Sequence, residues 1–445
     1  MSQVARRSMS GADAMWLYAD RPNHLMVIDG MMWTDEPLDW DLVEEVLSER
    51  LVGRFPVFSQ RAVDPAWPWE LPVWEDDPDF TLDRHVTRAT LPDPGGEEEL
   101  QAFLEAQVAE PLDRAKPLWH VWFIDNYLGG SVLFYRFHHA MADGMALAEV
   151  MVNLTDPSPD THEPFTAREV HHSGTVGSLL GGAIGLVRNA LHVSSLPALG
   201  MQSAAVAQKL LLDALPVSLF SGEPGGAKRL AWSRARSVDE IKQVSRATES
   251  TVNDVLIAAL SGALARFLDL HGETVDHLTT MVPVNTRPPG RALPRELGNK
   301  FALVMLHLPT GNLDTRARLH AVHERMEEIK HSPETFITSV VAEGIGHLHA
   351  VEKPFVDFFA AKAVGVTTNV IGPKEPRYIA GRKIAGVLGW VPGSGGHTLG
   401  VCIYSYDNTV RIGFKTDAET VPMPERLIEF FDAELDALLE LVPQA

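Results

Sequence analysis

A chain of 445 residues with 45% hydrophobic and 22% charged residues has the composition of a globular protein long enough for two or three domains. A formal charge of −21 argues against a nucleic-acid binder, which needs a basic surface to meet phosphates, and against strong adhesion to anionic lipid; a polyanionic ligand such as coenzyme A would need a local basic cluster. The single cysteine, Cys402, excludes an intrachain disulfide framework and a cysteine metal cluster, and fits a reducing compartment.

The first ten residues hold Arg6 and Arg7 with no apolar core behind them, which does not read as a secretory signal. No apolar run reaches the ~20 residues of a membrane span; the longest, 176–187, stops at Arg188. The expectation is a cytoplasmic protein, with peripheral membrane or lipid-droplet contact left open. Ser10 suits the N-cap of a helix over 10–18, with Asp13 in its first turn. Residues 24–33 read as a strand, and 38–52 carry apolar residues at helical spacing. Proline and tryptophan crowd 65–74, a loop or edge element. Extended structure resumes over 80–88, and 97–108 is a helix whose acidic first turn suits its dipole. A strand over 119–125 turns at 127–130 into a second strand over 131–137.

That second strand runs into Phe137-His138-His139-Ala140-Met141-Ala142-Asp143-Gly144, and a helical pattern over 145–154 follows. Two imidazoles at a strand-to-helix junction can face a cavity while rigid elements hold their backbone. A neutral imidazole near its ordinary pKa can take a proton from a hydroxyl and later return it. Adjacent residues leaving a strand face opposite ways, so one histidine reaches substrate, and His139 is the candidate. Asp143 can orient a ring, cap the next helix or pair with an arginine, and Gly144 is expected to let the backbone turn tightly beside it. A second pair, His171-His172, lacks the aspartate and glycine, lies in polar loop-like sequence and carries no such reading.

Residues 155–172 are rich in Pro, Asp, Ser and Thr and read as a linker. The Ala-, Gly- and Leu-rich stretch 176–219 reads as a helical connection packed against both halves, rather than as an apolar pair docked on lipid. After a break at 221–226, helices are expected over 237–249 and 251–271, with Asn253 and Asp254 explained as capping residues. Strand-like runs occupy 276–285, 300–308, 365–371, 383–391, 399–405 and 409–415. Helical patterns fall at 314–330, 334–350 and 354–364, and a long helix over 425–441 ends the chain. The domains expected are 1–160, a helical connection 161–230, and 231–445. Two α/β halves of similar grammar invite a site between them. No glycine-rich nucleotide fingerprint, phosphate loop or HExxH set is present, which disfavours dinucleotide, ATP and metal chemistry. Cys402 sits among apolar neighbours, none of which would lower its pKa, so a thiol nucleophile is not expected.

The chain resembles the bacterial wax ester synthase/diacylglycerol acyltransferases over nearly its whole length. The residues that carry the resemblance are Met9-Ser10-Gly11-Ala12-Asp13-Ala14, Pro117-Leu118-Trp119, the HHxxxDG motif His138 to Gly144, Asn253-Asp254-Val255, Val282-Pro283-Val284-Asn285, Gly298-Asn299 and Thr368-Asn369-Val370-Ile371-Gly372-Pro373. In the last block two positions depart from the family's Ser-Asn-Val-Pro-Gly-Pro. The histidine motif alone is shared with the condensation domains of peptide synthetases. The resemblance implies an α/β fold of two chloramphenicol-acetyltransferase-like domains, each a mixed sheet with helices, with the active site at their interface. It implies transfer of a long-chain acyl group from acyl-CoA, a substrate rather than a cofactor, to diacylglycerol or a fatty alcohol. His139 would be the base, His138 its support, Asp143 and Gly144 would hold the loop's shape, and Asn253 and Asn369 would lie near the interface and bind substrate. The rival readings are a condensation-like enzyme fed by a carrier protein and a non-catalytic lipid-droplet protein. Four basic residues, Lys228, Arg229, Arg234 and Arg236, form a cluster worth comparing with the needs of the CoA phosphates.

Overall fold

The computed structural model describes residues 6–67, 69–160, 217–287, 292–330, 357 and 360–443. His171-His172, the apolar stretch up to residue 216 and the helical pattern at 334–350 lie outside them, as does most of 354–359.

The first half runs β1 (Arg6–Ser8), α1 (Gly11–Ala19), β2 (Val27–Thr34), α2 (Trp40–Val46), β3 (Gln60–Val63), β4 (Val73–Asp76), β5 (Val86–Thr90), α3 (Glu97–Val108), β6 (Trp119–Tyr127), β7 (Gly130–His138) and α4 (Gly144–Asn153). Ser10 caps α1 as its position predicts, its Oγ accepting the Asp13 N–H at 3.1 Å. The helical run expected over 38–52 starts after the Asp39 cap and passes from α2 into a π-helical stretch, Leu47–Val52. Strands β1, β4 and β3 make a small sheet of their own; within the proline- and tryptophan-rich stretch, only Val73–Asp76 is strand.

In β7 every residue is buried, and the period of two sorts its side chains between two cores. Val132 and Phe134 pack with Leu100 and Leu104 of α3, while Leu133, Tyr135 and Phe137 pack on the opposite side with Trp16, Ala146 and Val150. Burying each such large apolar side chain contributes about 1.5–3 kcal/mol. Trp119 belongs to this packing: it is fully buried, its Nε1 donates to the Phe58 carbonyl at 2.7 Å, and its ring stacks on His85.

The second half comprises β8 (Lys228–Trp232), β9 (Arg236–Ser237), α5 (Val238–Ala247), α6 (Val252–Leu270), β10 (His277–Asn285), β11 (Phe301–Pro309), α7 (Thr315–Lys330), β12 (Gly365–Ile371), β13 (Tyr378–Ile379), β14 (Arg382–Trp390), β15 (Leu399–Tyr406), β16 (Thr409–Asp417) and α8 (Pro424–Leu439). A seven-stranded mixed sheet runs β11-β10-β12-β15-β16-β8, with β9 also on β16. Asp407 and Asn408 join β15 to β16 with φ of 46° and 56°, the geometry of a tight hairpin turn. Helices α5 to α8 cover one face of this sheet; its other face meets the first half through Val370, Cys402 and Tyr404.

One strand leaves its neighbours in sequence. β14 pairs antiparallel with β2, Trp390 opposite Asp29, and the first sheet therefore runs β13-β14-β2-β7-β6-β5. The second half thus contributes two strands to the sheet that carries the histidine pair, which ties the halves together where the site lies. Among the described residues no single helix is long and apolar enough to cross a membrane.

Candidate active site

The His138–Gly144 junction is fixed from both sides. Asp143 caps α4, its Oδ1 accepting the Ala146 N–H at 2.9 Å, while Oδ2 accepts the Lys300 N–H at 2.9 Å and the Arg287 guanidinium. Arg287 also donates to the Gly298 carbonyl. A single carboxylate therefore holds the motif's helix and stitches it to two segments of the second half.

The two histidines diverge. His138 is buried away from the cavity: its Nδ1 accepts the Ala140 N–H at 3.1 Å and its Nε2 lies 3.8 Å from Asp20 Oδ2. Burial raises the Asp20 carboxyl's pKa, but the His138 ring, the Met26 N–H and Arg114 outweigh it and leave the net shift downward. His139 donates its backbone N–H to Met26 at 2.7 Å and turns its ring between Trp16, stacked at 4.3 Å, and Phe301 at 5.6 Å. Its Nδ1 lies 2.9 Å from Asn299 Oδ1. Burial pushes its pKa down to about 4, against the opposing pull of Asp143. The ring is therefore neutral throughout the neutral range, the form a proton acceptor needs.

That ring lines a largely apolar cavity whose walls come from both halves, with Trp16, Tyr135 and Met145 on one side and Met281, Phe301 and Val370 on the other. Its volume, open mouth included, is about 1780 Å³. A lining this apolar suits a long aliphatic chain better than a compact polar metabolite. Cys402 also lies in this wall, and burial pushes its thiol up to about 12, so it is protonated and inert.

Two expectations need correction. Gly144 does not adopt a left-handed backbone, and a Cβ there would meet only Ile28 Cδ1 at 3.9 Å; it is a smooth piece of cavity wall, not a forced turn. Asn253 is not a cap. Thr251 caps α6 in a reciprocal box with Asp254, and His323 lies 2.8 Å from that carboxylate, so the Asn253 side chain faces the cavity. There it accepts the Asn369 Nδ2–H at 2.8 Å, and the two amides form a polar patch in an apolar wall.

Asp13, Asn299, Arg287 and Trp16 were not expected in the site. Asp13 had a sufficient local explanation as a first-turn acid, and Asn299 figured only as a motif match; nothing in local spacing places either beside His139. The basic cluster at 228–236 is neutralised. Lys228 reaches Asp417 at 3.3 Å, Arg229 reaches Glu105 at 2.9 Å and Glu425 at 2.8 Å, and Arg236 reaches Asp432 at 3.4 Å. Arg234 lies 3.9 Å from the same Asp432. Cations so paired are poorly placed to serve CoA phosphates.

Comparison with known proteins agrees with this geometry. Residues 9–256 match the model of the wax ester synthase/diacylglycerol acyltransferase catalytic domain, and 297–439 match that family's C-terminal domain. A putative diacylglycerol O-acyltransferase of Mycobacterium tuberculosis is 29% identical over 97% of each chain. A second protein of that organism, described as a probable diacylglycerol O-acyltransferase, is 29% identical over 79% of this chain and 77% of its own. Among solved structures, the wax ester synthase/diacylglycerol acyltransferase of Marinobacter aquaeolei VT8 superposes with a TM-score of 0.71 at 21% identity, covering 97% of this chain and 98% of that one. The first condensation domain of the calcium-dependent antibiotic synthetase has the same fold, with a TM-score of 0.64 at 17% identity, covering 98% of this chain and 96% of its own. The HHxxxDG junction stands at the meeting of two mixed-sheet halves, both family domains match, and relatives align along the whole chain: this protein belongs to the wax ester synthase/diacylglycerol acyltransferase family and is an acyltransferase.

Proposed function

We propose that this protein moves a long-chain acyl group from acyl-CoA to the hydroxyl of a diacylglycerol or a fatty alcohol, yielding triacylglycerol or wax ester, with His139 as general base. The observation that carries the reading is a neutral imidazole opening into a large apolar cavity built from both halves. An alcohol lacks positioning and proton removal as a nucleophile, and the site supplies both. His139 Nε2 takes the hydroxyl proton as the oxygen attacks the thioester carbonyl. The tetrahedral intermediate collapses with cleavage of the C–S bond, and the imidazolium returns its proton to the leaving thiolate, giving free CoA thiol. No covalent enzyme intermediate is needed, in keeping with the inert Cys402. Asn253 and Asn369 are the polar groups suited to orient the acyl carbonyl or the acceptor ester.

The test offers palmitoyl-CoA with dioleoylglycerol and with hexadecanol side by side, following both thiol release and ester product. Ester formed from free acyl-CoA with either acceptor is expected. A condensation-like enzyme, which the fold also accommodates, would instead form product only from a carrier-protein thioester, and that outcome would replace this reading.

Contact with a neutral lipid surface is part of the proposal. Trp67 and Trp69 are 56% and 72% exposed and stack at 5.3 Å on a loop next to Asp64. Asp64 in turn lies 3.5 Å from the Tyr18 hydroxyl at the end of α1, the helix whose Trp16 touches His139. Indoles favour the lipid–water boundary, and a charge of −21 selects neutral over anionic lipid. The Trp67→Ser/Trp69→Ser variant is expected to bind phosphatidylcholine vesicles containing diacylglycerol about tenfold or more weakly. Its rate with short, water-soluble substrates stays unchanged; equal vesicle binding would remove this contact.

A further inference from the structure

Three residues that are distant in sequence meet behind the His139 ring. Asn299, in the loop that enters β11, places its Oδ1 2.9 Å from His139 Nδ1. Its Nδ2 lies 2.8 Å from Asp13 Oδ1 and 2.8 Å from the His139 carbonyl. The Asn299 backbone N–H also reaches Asp13 Oδ1, at 2.9 Å. The His139 carbonyl can only accept, and Asp13 Oδ1 already accepts the Asn299 backbone N–H, so the amide nitrogen must face them and the amide oxygen must face the imidazole. An oxygen that only accepts requires a proton on Nδ1, and this leaves the Nε2 lone pair for the substrate. Asn299 and Asp13 are both buried, so neither amide nor carboxylate is free to rotate toward solvent.

We propose that Asn299, held by Asp13, is the positioning residue that sets the tautomer and orientation of His139, so that the base is complete only when the loop of the second half docks on α1 of the first. The backbone agrees with such a docking device. Gly298 has φ of +92°, a conformation glycine tolerates best, and its N–H donates to the Met141 carbonyl at 3.2 Å. The proposal rests on the reading of His139 as base. It adds the reason for an amide at this position: an amide orients the ring without adding charge, whereas a carboxylate would stabilise the imidazolium and keep the base occupied. The charged groups around the ring are Asp143 with its partner Arg287, the His138–Asp20 pair on the preceding strand, and Asp13 with Arg7 beyond Asn299. Glu149 on α4 interacts with Asp143 and Arg287, and Asp29 on β2 and Lys330 on α7 line the same cavity.

The experiment uses the full chain and four variants, Asn299→Asp, Asn299→Ala, Asp13→Asn and Asp13→Ala, with kcat and KM measured across pH. Asn299→Asp is nearly isosteric, and it is expected to move the acidic limb of kcat/KM upward by about one pH unit or more. Asn299→Ala is expected to lower kcat by about 10²-fold while KM stays within about threefold, because a group that acts through the base changes the chemical step. Asp13→Asn keeps an acceptor for the Asn299 amide and retains most activity, whereas Asp13→Ala falls with Asn299→Ala. The tautomer is read separately from the ¹⁵N shifts of His139 in substrate-free protein, identified by difference from His139→Gln. Wild type shows a protonated Nδ1, and Asn299→Ala a mixture. An unmoved acidic limb in Asn299→Asp, or a wild-type protein with its proton on Nε2, would overturn the assignment. The tautomer measurement does not depend on which substrate the enzyme uses, so its failure is distinct from failure of the acyltransfer reading.

Discussion

Replacing His139 by alanine is expected to lower acyl transfer by about 10²–10⁴-fold, the usual worth of a positioned general base, while the protein stays folded. The fold survives because the ring occupies a cavity wall, and Asn299 keeps its bonds to Asp13 and to the residue-139 carbonyl. The wild-type pH profile carries the same information with a definite sign. The base works only when neutral, and burial pushes the pKa of His139 down to about 4. Activity as kcat/KM should therefore stay level from neutrality to about pH 5 and fall as the pH drops through about 4. A solvated histidine would lose activity near its ordinary 6.5 instead. His24, His120 and His397 are likewise depressed by burial, to about 3, about 4 and about 4. Below 6.5 the unfolded chain binds more protons than the folded one, so stability falls as the pH drops toward 4. Initial rates must accordingly be taken before unfolding sets in. A midpoint near 6.5, or a folded alanine variant with most of its rate, would end the assignment of His139 as base.

Asp29→Ala is expected to be the single change most damaging to the fold, costing about 3–5 kcal/mol of stability. Asp29 on β2 is fully buried and serves two cations: Arg136 Nε donates to Oδ1 at 2.9 Å, and Lys415 Nζ donates to Oδ2 at 2.7 Å. Arg136 is further held by the Glu110 carbonyl at 2.7 Å and the Val108 carbonyl at 3.3 Å. Lys415 comes from β16, so the carboxylate joins the two large sheets inside the protein. Removing it strands two buried positive charges that water cannot reach, which is costlier than losing a surface pair. Lys415→Met should cost markedly less, because the Asp29–Arg136 pair remains. Urea or thermal unfolding of the two variants makes the comparison. Asp29→Ala within about 1 kcal/mol of wild type would show that the triad contributes little.

The order of elements was legible in the chain to an unusual degree at α3, β12 and the β15–β16 hairpin, where caps, apolar period and turn residues all act within a few positions. The same locality explains the misses. Lys228 and Arg229 read as part of a basic cluster, yet they open a strand, Lys228 pairing with Asp417 of its own half and Arg229 with Glu105 of the first. The run over 383–391 looked like another strand of the second sheet and instead closes the first, because strand propensity says nothing about which edge is vacant.

The chemistry of the site divides along the same line. The sequence alone was enough to mark His139 and Asp143, because strand, histidine pair, aspartate and helix follow one another within a single short stretch, and the wider pattern of motifs identified the family. Only the tertiary structure decided that His138 turns inward, that Asn253 faces the cavity rather than capping its helix, and that Asp13 and Asn299 stand behind the His139 ring. Asn299 lies 160 positions from His139 and 286 from Asp13. Capping and periodicity act between neighbours in the chain, but the partner of a buried hydrogen-bonding group is set by which surfaces the packing of two sheets brings together.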